Sequence, residues 1–274
     1  MLNANRSIAP LEMVWVFFRN SSLIIDLIKR EVVGRYRGSS MGLLWSFFNP
    51  ILMLIIYTFV FSIVFKARWP GGSESKTEFA LVLFSGLMVF NLFSECINRA
   101  PSLILNNANY VKKVIFPLEI LPIVALGAAF FHFAISLIVW LAFFFIFFGL
   151  PKPEIFLLLA VLIPLMFLIM GLSWGLASLG VYLRDVSQVV GVLTTVLMFM
   201  SPIFYPISAL PEQYRALMHL NPLTFSVEQA RDVMIWGKGI NWSDWSLQLL
   251  VSLSIFWLGF AWFQKTRKGF ADVL

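Results

Sequence analysis

One carboxylate, Glu95, sits at the edge of an apolar run, and Arg99 follows it by one helical turn. Glu31 and Arg35 repeat that spacing upstream, and opposite charges four apart meet on a helix surface. Each couple therefore reads as an ion pair along its own helix. The two histidines, His132 and His219, fall far apart, one in mid-run and one in a connecting segment. His132, alone among apolar neighbours, suits a hydrogen bond between helices better than a ligand role. Cys96 is the single cysteine, so no internal disulfide and no cysteine-rich metal site is expected. No His-Glu-x-x-His, paired-aspartate or Cys/His cluster occurs, and no metal site is expected. A G-x-x-x-x-G-K-[ST] phosphate loop is missing too, so energy for any transport must come from another chain. Proton coupling would need buried carboxylates, and the runs offer only Glu95.

The elements that must position these groups are membrane helices. Hydrophobic residues make up 60% of the 274 and charged residues only 12%, about half the charged share of a soluble domain. Uncharged stretches run through Gly38–Phe65, Phe79–Ser94, Ile120–Pro151, Ile155–Leu183, Val186–Pro211 and Trp245–Gln264. A spanning helix needs about 20 apolar residues; the second stretch reaches that length when extended to Asn98. The expected fold is all-α and integral to the membrane: six transmembrane helices, an N-terminal amphipathic interface helix, and short re-entrant helices before the last span. Residues 1–274 form one domain, with 1–37 cytoplasmic or interfacial, 41–264 in the membrane and 265–274 a cytoplasmic tail. Six spans put both termini on one side. Most of the 20 Lys and Arg then fall on that side, which makes it cytoplasmic. The net charge of +6 reflects this topology and anionic lipid contact, with no nucleic-acid partner required.

Residues 21–37 lead into the first span. Ile24, Ile25, Ile28, Val32 and Tyr36 recur at helical spacing, while Asp26, Lys29, Arg30 and Arg37 fall away from them. Such a helix lies in the interface with its basic groups toward lipid phosphates or a partner. Asn49-Pro50 should kink or interrupt span one, and Pro70-Gly71-Gly72 marks the turn after it. The connection from Arg99 to Pro117 is longer than a crossover needs, which predicts a short helix or elbow presented to the cytoplasm. Span four is dense in Gly171, Ser173, Gly175, Ala177, Ser178 and Gly180, a signal for close helix packing.

Ser201-Pro202 and Tyr205-Pro206 end span five. Two short helices should follow, Pro211–Leu220 and Ser226–Trp236, the second stopped by Gly237. Irregular backbone at membrane depth is tolerated only where protein buries it or water lines it, so this region reads as a gate. Trp45, Tyr57, Phe59, Phe61, Phe199, Phe204 and Tyr205 lie on the two broken spans. Aromatic faces at those places could stack on sugar rings in a glycan conduit; the competing reading is lipid-facing bulk and interfacial anchors.

Several strings taken together resemble a known family. They are Ile28-Lys29-Arg30-Glu31-Val32-Val33-Gly34-Arg35-Tyr36-Arg37, Gly42-Leu43-Leu44-Trp45-Ser46-Phe47-Phe48-Asn49-Pro50, Tyr182-Leu183-Arg184-Asp185-Val186, Ser201-Pro202-Ile203-Phe204-Tyr205 and Leu220-Asn221-Pro222. In this order, over nearly the whole chain, the sequence resembles the polysaccharide-exporting ABC-2-type permeases of bacteria. The O-antigen permeases of the Wzm type are the nearest in kind, with capsule and teichoic-acid permeases less close.

The resemblance implies a homodimer of this chain with two copies of a separate ATPase subunit, which would carry the ATP and magnesium. It implies residence in the bacterial inner membrane and a polysaccharide cargo on undecaprenyl pyrophosphate. Arg35 and Arg37 would sit where that pyrophosphate arrives. Lys29, Arg30, Asn109, Tyr110, Lys112 and Lys113 would meet the ATPase, with Arg184 and Asp185 as a second contact. Two other readings stay open: an ABC-2 permease for a lipid or drug, and a membrane scaffold with no conduit.

Overall fold

The computed structural model describes Trp15, residues 17–64, Trp69, residues 76–111 and residues 116–274. Lys112, Lys113 and the Pro70-Gly71-Gly72 turn lie outside these residues. All regular structure among the described residues is helical. Helix α1, Ser21–Arg35, leads into α2, Trp45–Tyr57, which continues as a π-helical stretch over Thr58–Val64. Helix α3 spans Lys76–Arg99, and a short α4, Ala108–Val111, follows two 3-10 turns. Helices α5, Leu121–Phe148, and α6, Leu158–Tyr182, are joined through Gly149, whose φ of 81° reverses the chain. Then come α7, Val186–Phe199, α8, Glu212–Leu220, α9, Pro222–Arg231, α10, Trp242–Thr266, and α11, Phe270–Val273.

Five segments are long and apolar enough to cross a membrane: Gly42–Phe61, Thr77–Ser102, Leu118–Phe148, Pro153–Tyr182 and Trp242–Val273. Helix α7 is apolar but has only 14 residues. It rises about 21 Å, short of the roughly 30 Å hydrocarbon core. The proline pairs predicted to end this span do so: the helix stops at Phe199 and Ser201-Pro202 is irregular.

Helix α3 is the axis of the bundle, with 83% of its apolar window buried, against 17% for the α2 segment. Long stripes on α2 (Leu44, Phe48, Leu52, Ile55) and α7 (Val189, Leu193, Val196) are exposed on the single chain. Buried indoles cross-link the helices, each donating its N–H to a carbonyl on a neighbour: Trp140 to Leu81 at 3.0 Å, Trp174 to Glu119 at 2.9 Å and Trp245 to Ala160 at 2.8 Å. A buried indole N–H needs such a partner.

The small-residue signal in span four is about packing. A Cβ on Gly171 would strike the backbone of Ile255, and one on Gly259 would strike the carbonyl of Gly171. Helices α6 and α10 therefore touch backbone to backbone. Gly180 meets the Pro101 carbonyl in the same way, whereas Gly175 has open space around it.

Three expectations change. Asn49-Pro50 does not break span one; Pro50 lies inside α2, and the departure from α-geometry comes later, as the π stretch. Proline is tolerated because it stands early in the helix, where few backbone donors need an acceptor. Helix α9 starts at Pro222 rather than Ser226, because the Asn221 side chain caps it by accepting from the Leu223 N–H at 3.0 Å. Helix α1 packs on α5 rather than presenting a lipid-facing stripe alone. Ile24, Leu27 and Val32 are buried, Ile28 fills the space a side chain at Gly127 would need, and Ile25 is 51% exposed.

Candidate functional site

The charged groups of α1 and α3 find partners across the bundle, not only along their own helices. Arg35 Nη1 lies 2.5 Å from Glu95 Oε1, and Arg99 pairs with Glu31. Arg99 also keeps the predicted turn-length contact to Glu95, at 3.7 Å. Sequence spacing foresaw the four residues but not the exchange, which depends on α1 crossing the end of α3.

His132 of α5 completes the cluster, its Nδ1 lying 3.0 Å from each Glu95 oxygen. A carboxylate only accepts, so the ring proton sits on Nδ1 and points at Glu95. Arg35 Nη1, 3.2 Å from the same nitrogen, is then a neighbour of the ring rather than a donor to it. The helix–helix hydrogen bond expected of His132 is thus present. Nε2 is buried and without a hydrogen-bond partner.

A cavity of about 660 Å³ opens beside this cluster, between the end of α1 and helices α2, α3 and α5. One wall is polar, with Glu95, His132, Asn91 and Asn98; another carries Tyr36, Trp45 and Tyr57. Asn98 accepts a hydrogen bond from Thr194 at 2.9 Å, which ties α7 to this wall. Burial pushes the Tyr36 phenol above the usual tyrosine range, so it stays protonated and able to donate. Polar amides beside aromatic faces suit a polyhydroxylated ligand: hydroxyls pair with the amides and ring faces lie on the aromatics.

The predicted conduit aromatics divide into groups. Trp45 and Tyr57 line the cavity. Phe61, Phe204 and Phe199 stack in series, with centroids 5.8 Å and 5.7 Å apart, and Phe61 also stacks on Phe79 of α3 at 6.1 Å. Tyr205 secures the turn by donating to the Phe199 carbonyl at 2.7 Å. Phe59 points elsewhere, into an apolar groove with Phe143 and Phe147.

Near the start of α3, Arg231 of α9 holds the irregular region together. It is 3% exposed and donates to the carbonyls of Val82 at 3.1 Å, Ile203 at 2.6 Å and Pro202. Its guanidinium carbon lies 4.4 Å from the Trp69 ring centroid. Sequence counting treated Arg231 as one more loop cation. The available signal was its position in an apolar helix next to a proline-broken span that leaves carbonyls without helix donors.

The remaining predicted contacts lie at the other end of α3. Arg30 donates to the Tyr110 hydroxyl at 2.8 Å, joining α1 to the elbow predicted between spans two and three. Tyr110 stacks on Phe116 at 4.1 Å, and Arg267 donates to the Phe116 carbonyl at 3.1 Å. Arg267 also pairs with the fully buried Glu119 at 2.5 Å. Lys29, Arg37, Asn109, Arg184 and Asp185 are all exposed. Among the described residues no group of three or more His, Cys, Asp or Glu could hold a metal.

A sequence model of the family described as ABC-2 type transporter matches residues 22–235. The chain is 27% identical over 264 residues to the O-antigen export system permease protein RfbA of Myxococcus xanthus, covering 96% of this chain and 99% of that one. It is 24% identical to the protein of the same name from Klebsiella pneumoniae, over 92% and 95%. Against the polysialic acid transport protein KpsM of Escherichia coli it is 27% identical, over 84% and 88%.

Proposed function

We propose that this chain, which belongs to the ABC-2 type transporter family, is the membrane-spanning permease of a bacterial O-antigen exporter. The observation that carries the reading is end-to-end similarity to permeases of that name. The cavity supports it from the chain's own residues, since Asn91 and Asn98 facing Trp45 and Tyr57 suit sugar rings better than an apolar drug.

In this reading the five long helices and α7 make six spans in the inner membrane, with both termini in the cytoplasm. Two copies pair with two copies of an ATPase that binds ATP and magnesium. Helix α1 and the α3–α5 connection rest on that ATPase. Arg30 and Tyr110 bond these two elements to each other, so they would respond as a unit. The cargo is a polysaccharide on undecaprenyl pyrophosphate, entering beside Arg35 and Arg37. A capsule exporter is the second reading, favoured by the similarity to the polysialic acid protein.

Tagged permease should copurify with a roughly equimolar P-loop ATPase, and deleting either gene should remove surface O-antigen. A preparation with no ATPase, or a deletion that depletes capsule while O-antigen persists, would overturn the assignment. Replacing Arg35 and Arg37 with Gln should lower export while the ATPase still copurifies.

A further inference from the structure

We infer that a second, smaller pocket, walled by Arg30, Gly34, Arg35 and Arg99, binds a phosphate-ester anion, with the diphosphate of a membrane lipid as its best match. This inference rests on the exporter reading and names the residues that would hold its cargo's headgroup. The pocket has a volume of about 360 Å³ and lies beside the sugar-type cavity, sharing Arg35 and Arg99 with it. Glu31 is the one carboxylate on its wall. Three guanidiniums against one carboxylate leave two positive charges uncompensated, which matches a doubly negative diphosphate diester and exceeds what a singly charged phosphodiester offers.

The arginines have donors to give. The bonds of Arg30 to Tyr110, Arg35 to Glu95 and Arg99 to Glu31 each engage one terminal nitrogen. A guanidinium carries about five N–H groups in a fork suited to phosphate oxygens. Gly34 leaves the wall open, with nothing within 4 Å of where a Cβ would stand. The pocket also stands one short turn before α2 enters its apolar run, at the depth of a lipid headgroup. Arg37, which the resemblance set beside Arg35, does not line it.

The position gives binding a consequence. Glu31 and Glu95 are internal counter-ions, and a phosphate oxygen must share or displace them. Filling the pocket would therefore loosen α1 from α3 and draw on Arg30, the residue that bonds the α3–α5 connection.

The test uses the assembled permease–ATPase complex in lipid nanodiscs, titrated with undecaprenyl diphosphate, undecaprenyl monophosphate and inorganic pyrophosphate, with and without phosphatidylglycerol. Undecaprenyl diphosphate should bind most tightly. Arg30→Gln should weaken it about tenfold or more, the scale of one charged hydrogen bond. Gly34→Glu should do the same by adding a carboxylate to the pocket without removing any bond, so it decides the matter if the arginine variant folds badly. Lys268→Gln, an equal loss of charge far from the pocket, should leave affinity unchanged.

Unaltered affinity in both pocket variants overturns the site, and so does equal competition by phosphatidylglycerol. Equal affinity for inorganic pyrophosphate overturns the lipid assignment and leaves a soluble diphosphate site. The exporter reading fails separately: the complex would bind the diphosphate lipid as described, yet its deletion would leave O-antigen on the cell surface.

Discussion

The two ends of α3 each hold an arginine against acceptors, and they do so in opposite ways. At the Glu95 end, Arg35 is half exposed and meets a carboxylate that already has His132 and Arg99 as further partners. At the Val82 end, Arg231 is buried and meets only backbone carbonyls from α3 and the segment after α7. Carboxylate pairs near solvent can exchange, because water and neighbouring cations compensate a lost partner. Carbonyls in a buried cage have no substitute donor. The first end is built to be remade and the second to be kept, so any movement of α8 and α9 would carry the start of α3 with it.

Breaking the kept end should have the largest effect. Arg231→Met leaves three carbonyls buried without donors and should destabilise the protein by about 3–5 kcal/mol, read as loss of folded permease from detergent extracts on heating. Arg231→Lys should recover little of this, since one ammonium cannot span carbonyls set around a planar fork. Next is Glu95→Gln, which should cost only about 1 kcal/mol, because the exposure of Arg35 screens the pair. Its effect should appear in transport instead, as export falling relative to ATP hydrolysis. A thermal loss as large as that of Arg231→Met would erase the contrast between the ends.

Replacing Trp45 and Tyr57 together with Ala should slow export of long chains severalfold at normal protein levels. Phe59→Ala should leave export as it is, because that ring faces the Phe143–Phe147 groove. Equal slowing in both would sink the idea that the cavity handles glycan. The smallest effect is expected of Tyr110→Phe, which deletes one hydrogen bond and should cost about 1 kcal/mol or less. Its readout is a modest drop in how strongly the permease stimulates its ATPase.

Much of the architecture could be read from hydropathy, because an uncharged run of spanning length has few folds available to it in lipid. The helix ends at Phe199 and Gly237 were legible for a related reason, since proline and glycine act locally. The site was legible only as a set of residues. Glu31, Arg35, Glu95 and Arg99 were all visible by spacing, but a pair four apart on one helix looks the same whether its partner lies on that helix or across the bundle. The cross-pairing follows from Ile28 seating on Gly127, a contact between positions nearly one hundred residues apart that no periodicity reports. Arg231 escaped for a deeper reason: its acceptors are backbone atoms, and every residue has those, so no sequence pattern marks them.

The π-helical stretch at Thr58–Val64 has a consequence for how α2 faces its neighbours. Trp45, Asn49, Met53, Tyr57 and Phe61 are spaced by four, and on an ideal α-helix such a row drifts around the axis by about 40° at each step. By Phe61 it would have turned well away from where it began. A π turn holds more residues than an α turn and rotates the row back. The first four of these side chains line the cavity against α3, and Phe61 still meets α3 at Phe79. The stretch thus acts as a phase correction, letting one helix keep a single continuous rail of side chains along the whole length of its partner.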